Sequence, residues 1–216
     1  MSRLVTRFRV TLALMAGLLW AMPASAGIYN DLLKAVDTGD TATVKAILQR
    51  GMDVNTVDRS GNSLLMLAAG NGNRSLVDFL LTQRVRLGVR NNIGDTALML
   101  AALKGHLEIV RSLLGAAAEV DQSGWTALHY AALEGRTDVI KLLIEHSTKV
   151  DAVAPNGMTA LLLAAKSGNA QLVKLLLDAK ADARFSTSDG TTTLKLANKG
   201  GYEEVAALLR RAGAQE

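Results

Sequence analysis

Cysteine is missing altogether from this chain of 216 residues. Its absence excludes structural disulfides and thiol nucleophiles, fits an exported protein that avoids disulfide chemistry, and removes the residue a lipoprotein anchor requires. Metal-ligand spacing is missing too. The three histidines, His106, His129 and His146, do not stand at helical ligand intervals, and no paired acid accompanies them. No Gly-x-Ser-x-Gly elbow, Walker run or dinucleotide fingerprint occurs. These gaps argue against an enzyme, and no catalytic, cofactor-binding or metal-binding residue is assigned. Beyond residue 26 no apolar run approaches the roughly 20 residues needed to cross a bilayer.

A surplus of one charge is also lacking once the leading segment is set aside. The formal net charge is +4, but Arg3, Arg7 and Arg9 lie before residue 27. The remaining chain therefore carries 21 Lys+Arg (24 less three) against 20 Asp+Glu, a net of +1. That balance argues against nucleic acid or an anionic membrane as partner. The leading segment has the composition of a secretory signal peptide: a basic start, the uncharged and largely apolar run Val10 to Met22, and the small-x-small site Ala24-Ser25-Ala26. Cleavage after Ala26 is expected. The mature chain is then expected in a bacterial periplasm, with full secretion as the alternative.

What is present is a repeat. The phrases Gly61-Asn-Ser-Leu-Leu-Met-Leu-Ala-Ala69, Gly94-Asp-Thr-Ala-Leu-Met-Leu-Ala-Ala102, Gly124-Trp-Thr-Ala-Leu-His-Tyr-Ala-Ala132 and Gly157-Met-Thr-Ala-Leu-Leu-Leu-Ala-Ala165 are copies of one pattern. A weaker copy runs from Gly190 to Ala197. A recurrence of about 33 residues signals a stacked solenoid. Within a copy, Thr126 stands where a helix N-cap belongs, and Ala127 to Leu133 makes two helical turns ended by Gly135. The paired alanines admit a second helix at close range. That helix begins near Thr137, with Val139, Ile140, Leu142, Leu143 and Ile144 at helical spacing. Turn residues such as Pro155-Asn156-Gly157 then suit a protruding hairpin.

This helix–turn–helix–hairpin grammar, with Thr126-Ala-Leu-His129 and Gly105-His-Leu-Glu-Ile-Val110, resembles the ankyrin repeat over about residues 28–214. The resemblance implies an all-α solenoid of stacked helix–turn–helix units with protruding β-hairpin loops and capping repeats at both ends. The expected segments are a signal peptide, 1–26; an N-terminal capping repeat, 27–57; inner repeats 58–90, 91–121, 122–154 and 155–187; and a closing repeat, 188–216. Two departures stand out. Proline, usual in the family at the first helical position, is replaced by Leu64, Ala97, Ala127, Ala160 and Thr193, which forgoes a pre-organised helix start. The family's hairpin-bonding histidine survives only as His129, with Met66, Met99, Leu162 and Lys195 at its place.

One interval is short. From Gly94 to Gly124 the chain spans 30 residues where the other copies span 33. The deletion is expected in the hairpin, between Asp121 and Gln122; a cut at Gly115-Ala116 in the second helix is the alternative. Trp125, the only tryptophan after residue 26, follows directly. In ankyrin repeats its position, and the two residues after Ala-Ala, face the recognition side. Leu103, Trp125, Leu133 and Met158 are therefore expected to form one apolar patch, rimmed by Asp95, Lys104, Glu134 and Lys166, with the composition of an interface hot spot. The bland alternative has Trp125 merely sealing adjacent hairpins. The densest basic run, Arg84-Val-Arg86-Leu-Gly-Val-Arg90, reads as a solvated edge.

The resemblance implies a non-catalytic scaffold or adaptor binding another protein through hairpin tips and the concave inner-helix face. No cofactor, no nucleic acid and no membrane insertion after cleavage are expected, and the chain is expected to be a monomer. An accessory or protective factor for a periplasmic enzyme, such as a catalase in oxidative-stress defence, is the alternative the family suggests. A secreted effector that binds a host protein is a more remote one.

Overall fold

A computed structural model of the chain describes residues 27–120 and 124–216. The leading segment with its expected cleavage site, and the expected gap between Asp121 and Gln122, lie outside the described residues. The chain divides into two units, one ending at Asp53 and the other running from Val54 to Glu216.

The first unit holds helix α1, over residues 27–38, and α2, Thr41–Gln49. The exposed Asp40 caps α2. Its carboxylate accepts from the Thr43 N–H at 3.0 Å and the Thr43 hydroxyl at 2.7 Å, and these bonds hold the acid below the usual carboxylate range. Leu32, Val36 and Val44 are fully buried.

The second unit is five helix pairs: α3 Leu64–Gly70 and α4 Arg74–Leu81; α5 Ala97–Lys104 and α6 Leu107–Gly115; α7 Ala127–Leu133 and α8 Thr137–Glu145; α9 Ala160–Ser167 and α10 Ala170–Asp178; α11 Thr193–Gly200 and α12 Glu203–Arg211. The first helices of the pairs pack side by side as an inner row, and the second helices form an outer row. Each inner helix starts on an extended Ser or Thr. The hydroxyls of Ser63, Thr96, Thr126, Thr159 and Thr192 accept from the N–H three residues on, at 3.2–3.4 Å. Such a cap contributes about 1 kcal/mol. The alanine doublets at 68–69, 101–102, 131–132 and 164–165 have no solvent exposure. They let the rows close up, and a larger side chain there costs about 1–3 kcal/mol in overpacking.

The glycines between paired helices are fixed by more than a left-handed φ. A Cβ on Gly168 (φ 72°) would lie 2.6 Å from the Tyr202 ring, and one on Gly72 (φ 78°) 2.8 Å from the ring of His106. The side chains opening α6, α8, α10 and α12, His106, Arg136, Asn169 and Tyr202, thus lie on the glycine of the preceding repeat. His106 also places its Nε2 3.2 Å from the Gly70 carbonyl.

Among the described residues the hairpins contain only isolated antiparallel bridges, Val57 to Ser63 and Ser186 to Thr192. Side chains shape their turns. Asp58 accepts from the N–H groups of Ser60 and Asn62, and Asn91 from those of Ile93 and Asp95. Asn91 donates to Asn62 at 2.8 Å, and Asn55 accepts from the Arg86 N–H at 2.8 Å, so neighbouring hairpins are stitched together.

The short repeat keeps its helices whole. α6 has nine residues, as α8 and α10 do. Two residues past these three helices the backbone turns left-handed, at Ala117 (φ 63°), Ser147 (φ 60°) and Lys180 (φ 69°). Ten residues separate Ser147 from Gly157 and Lys180 from Gly190, but only seven separate Ala117 from Gly124. The interval that is three residues shorter therefore runs from Ala117 to Gly124, past the end of α6.

Candidate functional site

The candidate residues sit on α5, α7 and α9 and on the loops entering them. Trp125, one residue before the cap of α7, is half-buried. Its ring meets that of His129 edge-on at 5.7 Å and that of Tyr130, tilted, at 5.3 Å. The Tyr130 hydroxyl donates to the Asp95 carboxylate at 2.5 Å. Burial, then the bond to Asp95 and its charge, raise the Tyr130 pKa far above the usual phenol range, so the ring remains a donor.

Asp95 is expected on a charged rim but is 5% exposed. The reason is Tyr130, which reaches across from the next inner helix and draws the carboxylate inward. Met158 is half-buried on the following hairpin, where its N–H bonds Asn156 and its carbonyl accepts from Ala154.

The other candidates lie at the far ends of the helices. Leu103 is half-buried, Leu133 is 47% exposed, and Lys104, Glu134 and Lys166 are exposed. Glu134 reaches Arg136 at 3.8 Å. Lys104 and Lys166 form no ion pair among the described residues, whereas the outer helices carry the Arg74–Asp78, Arg74–Glu108 and Lys141–Asp138 pairs.

A helix of seven or eight residues is about 10–12 Å long, so Trp125 and Leu133 stand at opposite ends of α7. The single compact patch expected from sequence is instead a strip along the helix. Tyr130 joins its ends: it stacks on Trp125 and shares a helix face with Leu133 three residues on. Leu100 and Leu103 repeat that spacing on α5, and Leu163 and Lys166 on α9. Sequence reasoning passed over Tyr130, although its register elsewhere is leucine, at Leu67, Leu100, Leu163 and Leu196. It also passed over Ile93, a hairpin-tip side chain 81% exposed.

His129 is structural. Its Nδ1 accepts from the Thr126 N–H at 3.2 Å, and its Nε2 lies 2.9 Å from the Ala152 carbonyl, tying α7 to the next hairpin. Burial lowers its pKa, against the opposing pull of the Ala152 and Met158 backbones. Where the histidine is replaced, the ties change: the Ser63 N–H meets the Met66 sulfur at 3.5 Å, and Lys195 Nζ donates to the Gly190 carbonyl at 2.8 Å. His146, past the end of α8, lies 3.0 Å from the Leu142 carbonyl through Nδ1. No group of three or more His, Asp or Glu side chains is placed to hold a metal ion among the described residues. No helix among them is long and apolar enough to cross a membrane.

A row of capped, alanine-packed helix pairs with ordered hairpins along one edge defines a repeat solenoid. Family models described as "Ankyrin repeats (3 copies)" match residues 65–154 and 147–215, and one described as "Ankyrin repeats (many copies)" matches 32–81. The chain belongs to the ankyrin-repeat family, whose repeats are generally non-catalytic interaction modules. Among solved structures it is similar to an ankyrin repeat domain (ABAYE2397) from Acinetobacter baumannii AYE, at 32% identity and TM-score 0.77, over 85% of this chain and 98% of that one. It is equally similar to EF0377, an ankyrin repeat protein, at 32% identity and TM-score 0.76, over 84% and 96%. A chain from the complex of the predatory endopeptidase Bd0816 of Bdellovibrio bacteriovorus with the immunity protein Bd3460 aligns at 29% identity and TM-score 0.75, over 84% and 97%. No match is found among curated proteins.

Proposed function

We propose that the chain is a non-catalytic scaffold, exported to the periplasm and cleaved after Ala26, that binds a partner protein through its hairpin tips and inner-helix face. The carrying observation is the strip on α7. Trp125, Tyr130 and the 47% exposed Leu133 run along one side of a helix, with the unpaired Lys104 and Lys166 on the helices beside it. An apolar and aromatic centre with a charged margin is the composition of a protein-binding hot spot. His129 has both ring nitrogens engaged and the Tyr130 hydroxyl is spent on Asp95, so the strip favours binding over catalysis.

The test uses residues 27–216 as bait against the native envelope fraction, with Leu133→Ser and Trp125→Ala beside the wild type. Leu133→Ser is expected to keep the melting temperature and lose the captured protein. Trp125→Ala is expected to weaken both, because its ring also packs on Tyr130. A capture unchanged by either substitution overturns the assignment of the strip.

One observation favours a second reading, in which the bound protein is an enzyme that this chain shields or restrains. It is the similarity to a chain from a complex of an endopeptidase with an immunity protein. If the captured partner is an enzyme whose activity falls, or whose survival improves, with stoichiometric addition of residues 27–216, this reading holds. A partner with no activity altered by the scaffold refutes it.

A further inference from the structure

We propose that the hairpin tip carrying Ile93 is a preformed anchor that seats in an apolar pocket with an acidic rim on the partner protein. This rests on the binding-scaffold reading and adds the chemistry of the partner's surface. A lone exposed apolar side chain is ordinary, but three features set this one apart.

The first is register. Ile93 is 81% exposed, while the same place on other tips holds Ser60, Asn156 and Asp189. The second is rigidity. Asn91 accepts from the Ile93 N–H at 3.1 Å and the Asp95 N–H at 2.8 Å, Asn92 donates to the Ser60 carbonyl at 3.0 Å and the Arg59 carbonyl at 3.3 Å, and Arg90 donates to the Gly94 carbonyl at 2.6 Å. A side chain held in place before contact loses little entropy on binding. The third is charge. Arg59 and Arg90 at the two tips, and Arg84 and Arg86 on the stem, are all exposed. The neighbouring acids are fewer and turned inward: Asp58 accepts three hydrogen bonds from Ser60 and Asn62, and Asp95 is buried, so the guanidinium groups outnumber them at the surface. The tip therefore offers an apolar knob in a cationic collar, and carboxylates around an apolar pocket are its complement.

The experiment places a benzophenone side chain at position 93 of the full exported chain in its own host, irradiates the cells and maps the adducts by mass spectrometry. Expected is a protein adduct at an apolar surface flanked by Asp or Glu. Its yield should fall about tenfold in the triple variant Arg59→Glu/Arg84→Glu/Arg86→Glu, whose guanidinium groups make no bond among the described residues. Circular dichroism checks that the triple variant folds; should it not, Ile93→Ser read through a crosslinker at position 133 must lower the yield instead. Adducts confined to a second copy of the chain, to nucleic acid or to lipid overturn the proposal. So do a basic or featureless target surface, insensitivity to these substitutions, and no adduct at 93 while position 133 crosslinks a protein. That last pattern leaves the scaffold reading standing, whereas no protein adduct at either position overturns both.

Discussion

Replacing Ala117, Ser147 and Lys180 by glycine should stabilise the protein. These are the non-glycine residues held left-handed among the described residues, at φ 63°, 60° and 69°. At the corresponding place after α12 stands Gly213, at φ 86°. A left-handed L-residue costs about 1–2 kcal/mol. Glycine removes that cost but returns about 0.4–1 kcal/mol through the greater freedom of the unfolded chain. The net gain is on the order of 0.5–1 kcal/mol per site, and among the described residues none of the three side chains makes a hydrogen bond or ion pair that would be lost. The sites lie in successive repeats, so their effects should nearly add, to about 2 kcal/mol. At roughly 2–4 °C per kcal/mol for a chain of this length, the melting temperature of the triple variant rises by about 4–8 °C. Thermal denaturation followed by circular dichroism measures it, with Gly213→Ala as the reverse control, expected to fall. A triple variant that melts at or below the wild type refutes the left-handed assignment. It would also remove the register argument that places the shorter interval between Ala117 and Gly124.

Three further outcomes follow from the same geometry. Ala97→Pro, Ala127→Pro and Ala160→Pro fill first helical positions behind extended caps and should each add about 0.4–1 kcal/mol, read as a higher melting temperature; a loss at all three would show that the buried ring does not fit. Tyr130→Phe strands the buried Asp95 carboxylate without its hydroxyl donor and should cost about 1–3 kcal/mol, whereas a melting temperature equal to wild type would mean that water reaches Asp95. Burial sets the His129 pKa below the ordinary imidazole value, so the unfolded chain binds the proton more readily. The stability it contributes is complete above about pH 6.5 and is lost as pH falls below that. Melting from pH 7.5 to 5 should therefore show an acid decline that His129→Met, the residue type at position 66, reduces; an identical decline in the variant would assign it to other groups.

The fold was legible because the features that build it are local. A hydroxyl three residues ahead of an N–H, two alanines facing a second helix and a glycine at a helix end all lie within a few positions of one another. The ends of α7 and α8 could thus be read closely from Thr126, Gly135 and Thr137. The site was legible only in register. Asp95 is expected at a recognition-face position, yet its buried carboxylate is bonded by Tyr130, 35 residues away and on another helix. Register says where a side chain starts and not what reaches it. Tyr130 carries a readable signal, one aromatic among leucines, beside the more conspicuous Trp125 of the shortened repeat. Ile93 carried the same kind of signal among polar tips.

The most direct test of the account is the footprint of the captured partner on residues 27–216, measured by hydrogen–deuterium exchange. Slowed exchange is expected in residues 91–104, 125–134 and 158–167, which hold the tip, α5, the strip on α7 and α9 with the loop entering it, with α4, α6 and α8 unchanged. Protection confined to the outer helices, with the tip and strip exchanging as in the free protein, would contradict it.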